Sequence, residues 1–200
     1  MLCEIFHRLA VNRARGLAAR LSPHLPSSGR VLDLGSGTGH NITAFAEVRS
    51  LRFVEADVAD IHVVGPGPTL FDGERLPFAD SAFQGAVACF VLQYAARPEQ
   101  LLRELHRVTA GPAILIQSTY DGVRALTRLR LREAVTGRWA QAAARWARFI
   151  PSNGTRLVPV RHWTRPELRA LIERSGFRIT RWEPETPGRL SRDLYILERA

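Results

Sequence analysis

The sequence predicts an α/β fold, a doubly wound and mostly parallel sheet in a single domain. Three observations predict it. Residues 30–57, RVLDLGSGTGHNITAFAEVRSLRFVEAD, read in order as strand, glycine-rich turn, helix, strand and acid, the βαβ order that lays parallel strands side by side. Residues 85–117 repeat strand, helix and strand. The chain has 200 residues, 46% hydrophobic and 24% charged. That suits one sizeable core, and no apolar run reaches the ~18 residues that would span a bilayer.

From the N-terminus, Ile5, Leu9, Leu17 and Leu21 are interleaved with Arg8, Arg13, Arg15 and Arg20, the amphipathic pattern of one or two helices. Pro23, Pro26 and Ser27-Ser28-Gly29 end it in a turn. The opening has an early acid and no uninterrupted apolar centre, unlike a secretion signal, so cytoplasmic residence is expected. Residues 30–34 read as a buried parallel strand. Gly35, Gly37 and Gly39 then let the backbone turn sharply and approach a ligand, since no Cβ stands in the way. Residues 41–48 form a helix whose N-terminus points at that ligand, and 51–56 form a second strand with Asp57 at its end. Beyond it, Gly65-Pro66-Gly67-Pro68 forbids a full helix. A brief strand at 69–71 ends at Asp72, and the connection before it is a loop.

Residues 85–91 read as the fourth strand. Pro98 opens a helix with Leu101, Leu102, Leu105 and Val108 inward, and 113–117 form the fifth strand. Thr164 and Glu167 make a capping box for the last helix, which Gly176 ends. Strands at 177–182 and 194–197 complete a seven-stranded sheet.

Every basic position is arginine: there are 28, against 19 acids. Residues 1–119 balance at 11 and 11, whereas 120–161 hold 9 arginines and 2 acids. Exclusive use of arginine reflects base composition; the clustering is a separate signal. Cys3 and Cys89 form no metal-binding or redox spacing; Cys89 reads as a buried, inert thiol.

The glycine turn discriminates between cofactors. A dinucleotide fingerprint, G-x-G-x-x-G, carries its last glycine where this chain has His40. Asp33 would also oppose a pyrophosphate, while it suits a cation. The order Asp33-Leu34-Gly35-Ser36-Gly37-Thr38-Gly39 resembles motif I of the class I methyltransferases that depend on S-adenosylmethionine (SAM). Residues 71–118 resemble the Methyltransferase-11 subgroup, with an acid, L-P-F, an acidic turn, an apolar strand, a helix ending in R-V and another strand. The chain departs from that pattern at Gln84, at Ala110-Gly111-Pro112 and at Gln93-Tyr94, the last replacing a frequent histidine pair.

The resemblance implies a Rossmann-like class I methyltransferase fold over 1–200, with an N-terminal helical cover at 1–29 and a helical lid insertion at 119–162. It implies SAM as cofactor, S-adenosylhomocysteine as product and no metal. In that reading Asp33 orients the methionine ammonium, and Gly35, Ser36 and Gly37 lie against the cofactor. Asp57 accepts the ribose hydroxyls, with Glu55 as the alternative. Asp72 accepts the adenine amino group beside Gly73, and Phe90 faces the reaction centre with Val91. Leu76 and Phe78 either wall the adenine or are core. Methyl transfer needs alignment more than a strong base, so Tyr94, Tyr120, Asp121 and His162, near the expected mouth, are each candidates and none is assigned.

Trp139, Ala142, Ala143, Trp146, Phe149 and Ile150 share one helical face among arginines. Three readings of 120–161 stand: a solvated basic face, peripheral contact with an anionic membrane, and an RNA-phosphate patch. Nucleic acid ranks last, since no RNA-binding module accompanies it. The expected partner is a small hydrophobic acceptor. A non-catalytic SAM-binding or partner-scaffolding protein is the alternative, and a dinucleotide oxidoreductase the third.

Overall fold

The computed structural model describes residues 2–48, 51–120, 161–184 and 191–200, with single positions at 122, 127 and 131. The helical face at 139–150 and Asp121 lie outside the described residues. The elements are α1 (Leu2–Leu21), β1 (Arg30–Leu34), α2 (His40–Val48), β2 (Arg52–Asp57), β3 (Thr69–Leu70), β4 (Gly85–Cys89), α3 (Pro98–Val108), β5 (Ala113–Tyr120), β6 (Trp163–Thr164), α4 (Arg165–Arg174), β7 (Phe177–Glu183) and β8 (Ser191–Arg199). None of the described helices is long and apolar enough to cross a membrane.

The sheet runs β3-β2-β1-β4-β5-β8-β7, with β6 attached to the end of β5. β1 to β5 pair in parallel, and β8 is antiparallel to both β5 and β7. The seven expected strands form the path. The unforeseen eighth, β6, exists because β5 runs on to Tyr120 rather than stopping at Gln117, and Thr119 and Tyr120 pair with Trp163 and Thr164. Thr119 is held there by the fully buried Asp193 of β8, which accepts hydrogen bonds from Thr119 Oγ1 at 2.7 Å, Arg165 Nε at 2.8 Å and the Tyr195 hydroxyl at 3.2 Å. β4, in contrast, ends at Cys89 instead of Val91. Phe90 leaves the extended region at φ 60°, although its amide still donates to the Ile116 carbonyl at 2.8 Å.

Alternation along the strands builds two cores, one on each face. Leu32, Leu34, Ala86, Ala88 and Leu115 pack with α3 and α4. Val31, Val87, Ile114 and Ile116 pack with Ala14, Ala18 and Leu21 of α1 and Phe45 of α2. The N-terminal helix, expected as a cover, is therefore also a core element. Leu76 is buried in the first core and Phe78 packs edge-on against Phe83, ring centroids 4.9 Å apart, so both are core side chains.

The L-P-F segment is clasped to α3 by one ion pair. Glu104 accepts the Leu76 amide at 2.9 Å and is held by Arg107 at 2.7 Å. Arg107 in turn donates to the carbonyls of Leu76 and Phe78 and to Asp80. Arg107→Met should cost about 2–4 kcal/mol, since it leaves a mostly buried carboxylate unpaired. Urea unfolding measures it; a loss below about 0.5 kcal/mol would reduce the clasp to a solvated pair.

Candidate active site

The chain runs outward from β1 to β3, then crosses to β4 and onward in the other direction. The carboxyl ends of β1 and β4 are thus the switch point, where such sheets bind ligands. The glycine turn, Asp57 and Phe90 all lie there. The three glycines have different neighbours. A Cβ on Gly35 would lie 2.3 Å from a Val91 methyl, and one on Gly39 would lie 2.2 Å from the Val64 carbonyl oxygen. A Cβ on Gly37 would meet nothing within 4 Å. Gly35 and Gly39 therefore admit the chain's own atoms, and Gly37 is the one that faces open space.

Two predicted site residues are buried without partners. Neither oxygen of Asp33 has a hydrogen bond, nor has the Ser36 hydroxyl, and their residues are 1% and 4% exposed. Asp33 stands in register with Glu55 on the neighbouring strand. Burial, then Glu55 and Asp57, push the Asp33 carboxyl up to about 8, because a charge in this place is poorly solvated and meets two like charges. Orphaned buried acceptors are rare; here they lie just behind the open turn.

The other predicted residues are engaged. Asp57 closes back on the turn, accepting the Gly37 amide at 2.8 Å and the Val58 amide at 2.7 Å, one on each carboxylate oxygen. Each oxygen keeps a second lone pair. Glu55 is bonded to His62 Nε2 at 2.8 Å, which accounts for it without a ligand. Asp72 is exposed; one of its oxygens accepts the amides of Glu74 and Arg75 at 2.8 and 2.7 Å, and these bonds hold its carboxyl below the usual range. Gly73 follows at φ 84°. Phe90 packs against the core on the α1 side, with the Arg13 guanidinium 5.1 Å from its ring centroid. Tyr94 is exposed, and Tyr120 packs edge-on with His162 at 5.4 Å. Burial raises the Cys89 thiol well above its usual value, in keeping with an inert thiol.

Sequence reasoning missed the bracing of the turn. The loop at 58–68, read only as the place of a lost helix, folds over it: the amides of Val63 and Val64 both donate to the Thr38 carbonyl, at 3.1 and 3.3 Å. On the other side His40 lies 2.8 Å from Thr38 Oγ1 and 3.1 Å from His7 of α1. Burial and His7 together lower the His40 pKa. No local pattern signals the contacts made by Val63, Val64 and His7, which join segments distant in sequence.

A doubly wound sheet with an acid ahead of a glycine turn at its switch point defines a class I methyltransferase architecture. Residues 5–181 match the Methyltransferase domain family, and the chain belongs to it. An uncharacterized methyltransferase of Mycobacterium marinum (strain ATCC BAA-535 / M) is 35% identical over 128 residues, covering 59% of this chain and 49% of that protein. The chain spans about half or less of the length of such curated relatives. Among solved structures, the [4+2]-cyclase SpnF superimposes with a TM-score of 0.67 at 16% identity, covering 92% of this chain and 81% of that one. Geranyl diphosphate C-methyltransferase from Streptomyces coelicolor A3(2) does so at 0.67 and 12%, covering 92% and 76%. At these identities the likeness is one of fold.

Two outcomes follow. Gly39→Ala should cost about 2–4 kcal/mol through overpacking and a strained φ, and Gly37→Ala only about 1 kcal/mol from φ alone; equal losses in thermal unfolding would refute the separate roles. The second concerns pH. The folded Asp33 carboxyl titrates near 8 and the unfolded one near ~4. The folded state therefore binds the extra proton between those values, and stability falls as pH rises through that window. The wild type should lose stability relative to Asp33→Asn by up to about 1.4 kcal/mol per pH unit there; denaturant titrations showing a pH-independent difference would exclude a buried neutral acid.

Proposed function

We propose that this chain is a SAM-dependent methyltransferase acting on a small acceptor with a hydrophobic body. One observation carries the reading: the Asp33 carboxylate and Ser36 hydroxyl, buried and unpartnered, behind a turn that is open at Gly37. That donor set suits a ligand that is cationic at one point and closely approached by backbone. A pyrophosphate would face Asp33, Glu55 and Asp57 together.

SAM, when bound, supplies a methyl group already activated on a sulfonium. Asp33 would hold the methionine ammonium directly or through water. Gly35, Ser36 and Gly37 would form the surface against which the cofactor lies, and the first amides of α2 would favour its carboxylate. Asp57 retains lone pairs for ribose hydroxyls, and Glu55, occupied by His62, is the weaker candidate. The second Asp72 oxygen is available for an adenine amino group. The remaining task of the chain is to align the acceptor and exclude water; no base is assigned. Cytoplasmic residence and peripheral membrane contact through 120–161 remain parts of the proposal that rest on sequence alone. The cyclase name carried by one fold neighbour makes cofactor binding and turnover separate measurements, and binding without turnover would favour the scaffold reading.

Calorimetry at pH 7 tests the site. SAM should bind, and comparison of buffers with different ionisation enthalpies should show release of close to one proton as Asp33 ionises against the ammonium. Asp57→Ala should weaken SAM binding about tenfold or more while the thermal midpoint stays within a few degrees. Absence of SAM binding by the wild type, with saturable NAD binding instead, would overturn the assignment.

A further inference from the structure

Beside α1, at the carboxyl end of β4, the middle of β5 and the start of β8, the fold leaves a cavity of about 380 Å³. This lies within the ~300–1,000 Å³ of small-ligand sites. Three of its lining side chains are the guanidinium-bearing Arg13, Arg20 and Arg192, and no acid lines it among the described residues. The apolar lining comes from Leu17, Phe90 and Ile116. Arg13 and Arg192 both lie against Phe90, at 5.1 and 5.9 Å from its ring centroid.

Many arginines of this chain are held by acids. Arg97, Arg103, Arg107 and Arg178 each pair with a glutamate within 3.1 Å. Arg13, by contrast, lies over an aromatic face and has no carboxylate within ion-pair distance among the described residues. Arg20 reaches the Glu183 carbonyl at 3.5 Å, a neutral acceptor that leaves its charge uncompensated. Like charges gathered in one concavity raise the local concentration of an anion and bind it with charge-assisted hydrogen bonds. The cavity is also placed for the chemistry. Phe90 lines it, and the next residue, Val91, touches Gly35 of the turn, so cavity and turn back onto consecutive residues.

We propose that this cavity binds the methyl acceptor, and that the acceptor is amphiphilic: an oxyanion, carboxylate or phosphate, held by Arg13, Arg20 and Arg192, with an apolar body against Phe90, Leu17 and Ile116. The inference rests on the methyltransferase reading for the word acceptor, but the cavity's affinity for an anion does not depend on SAM. It narrows the expected hydrophobic substrate to one that carries a charge at one end, and it gives the first helix a binding role besides its packing.

The test is calorimetric titration of the cofactor-free protein with octanoate, octyl phosphate and neutral 1-octanol. At least one of the two anions should bind saturably at one site, and octanol should not compete with it. Arg13→Gln and Arg192→Gln should each weaken that binding about tenfold without moving the thermal midpoint. Arg13→Lys should recover part of it, and Arg103→Gln, on the far face, should change nothing. Tighter binding of octyl phosphate or of octanoate assigns the head group. No saturable binding of either anion, or binding indifferent to Arg13→Gln and Arg192→Gln, overturns the proposal. Loss of SAM binding in a protein that still binds the anion would instead refute the methyltransferase reading alone.

Discussion

Asp33 and Glu55 stand side by side on adjacent parallel strands, with Asp57 one step beyond on the same face. Parallel register fixes that proximity, and the Asp33 side chain is buried there. The surrounding structure is arranged around the cost. Glu55 is hydrogen-bonded to His62, Asp57 is turned onto two backbone amides, and Asp33 keeps its proton near neutral pH. Of these three acids, Asp33 alone is left without a hydrogen-bond partner among the described residues. The free protein thus carries an electrostatic deficit at the one place where the backbone is also most open.

Much of this was legible because it is local. Strand, turn and helix follow from apolar runs and glycines, and the capping box at Thr164 and Glu167 was read correctly from four residues. The doubly wound order follows from βαβ connectivity. What escaped reading was set by contacts across the chain. Gly37 and Gly39 look equivalent in sequence, yet one faces space and the other the Val64 carbonyl, a distinction made by a loop some twenty-five residues downstream. β5 outran its apolar pattern because a buried Asp193 rewards Thr119 for staying in the sheet. Glu55 and Asp57 could not be ranked by alternation, which places both on one face; His62 separates them.

The arginines show the same division. Composition alone suggested a bias of coding rather than function, and the downstream cluster drew attention because it was dense. Within the described residues the more informative arginines are the few at the cavity, two of which, Arg13 and Arg20, lie in the part of the chain whose net charge is zero. Arg107 and Arg165 are consumed by carboxylates that hold elements together, whereas Arg13 rests on a ring.

Phe90 adopts a left-handed backbone that glycine would hold without strain. A glycine there would relax β4 by about 1 kcal/mol and simultaneously delete the ring on which two guanidiniums lie. Position 90 is therefore a point of conflict between durability and use. A lineage that kept this fold but abandoned its ligand would be free to drift towards glycine or asparagine at this site, so the residue found there in related chains records whether the cavity is still under selection.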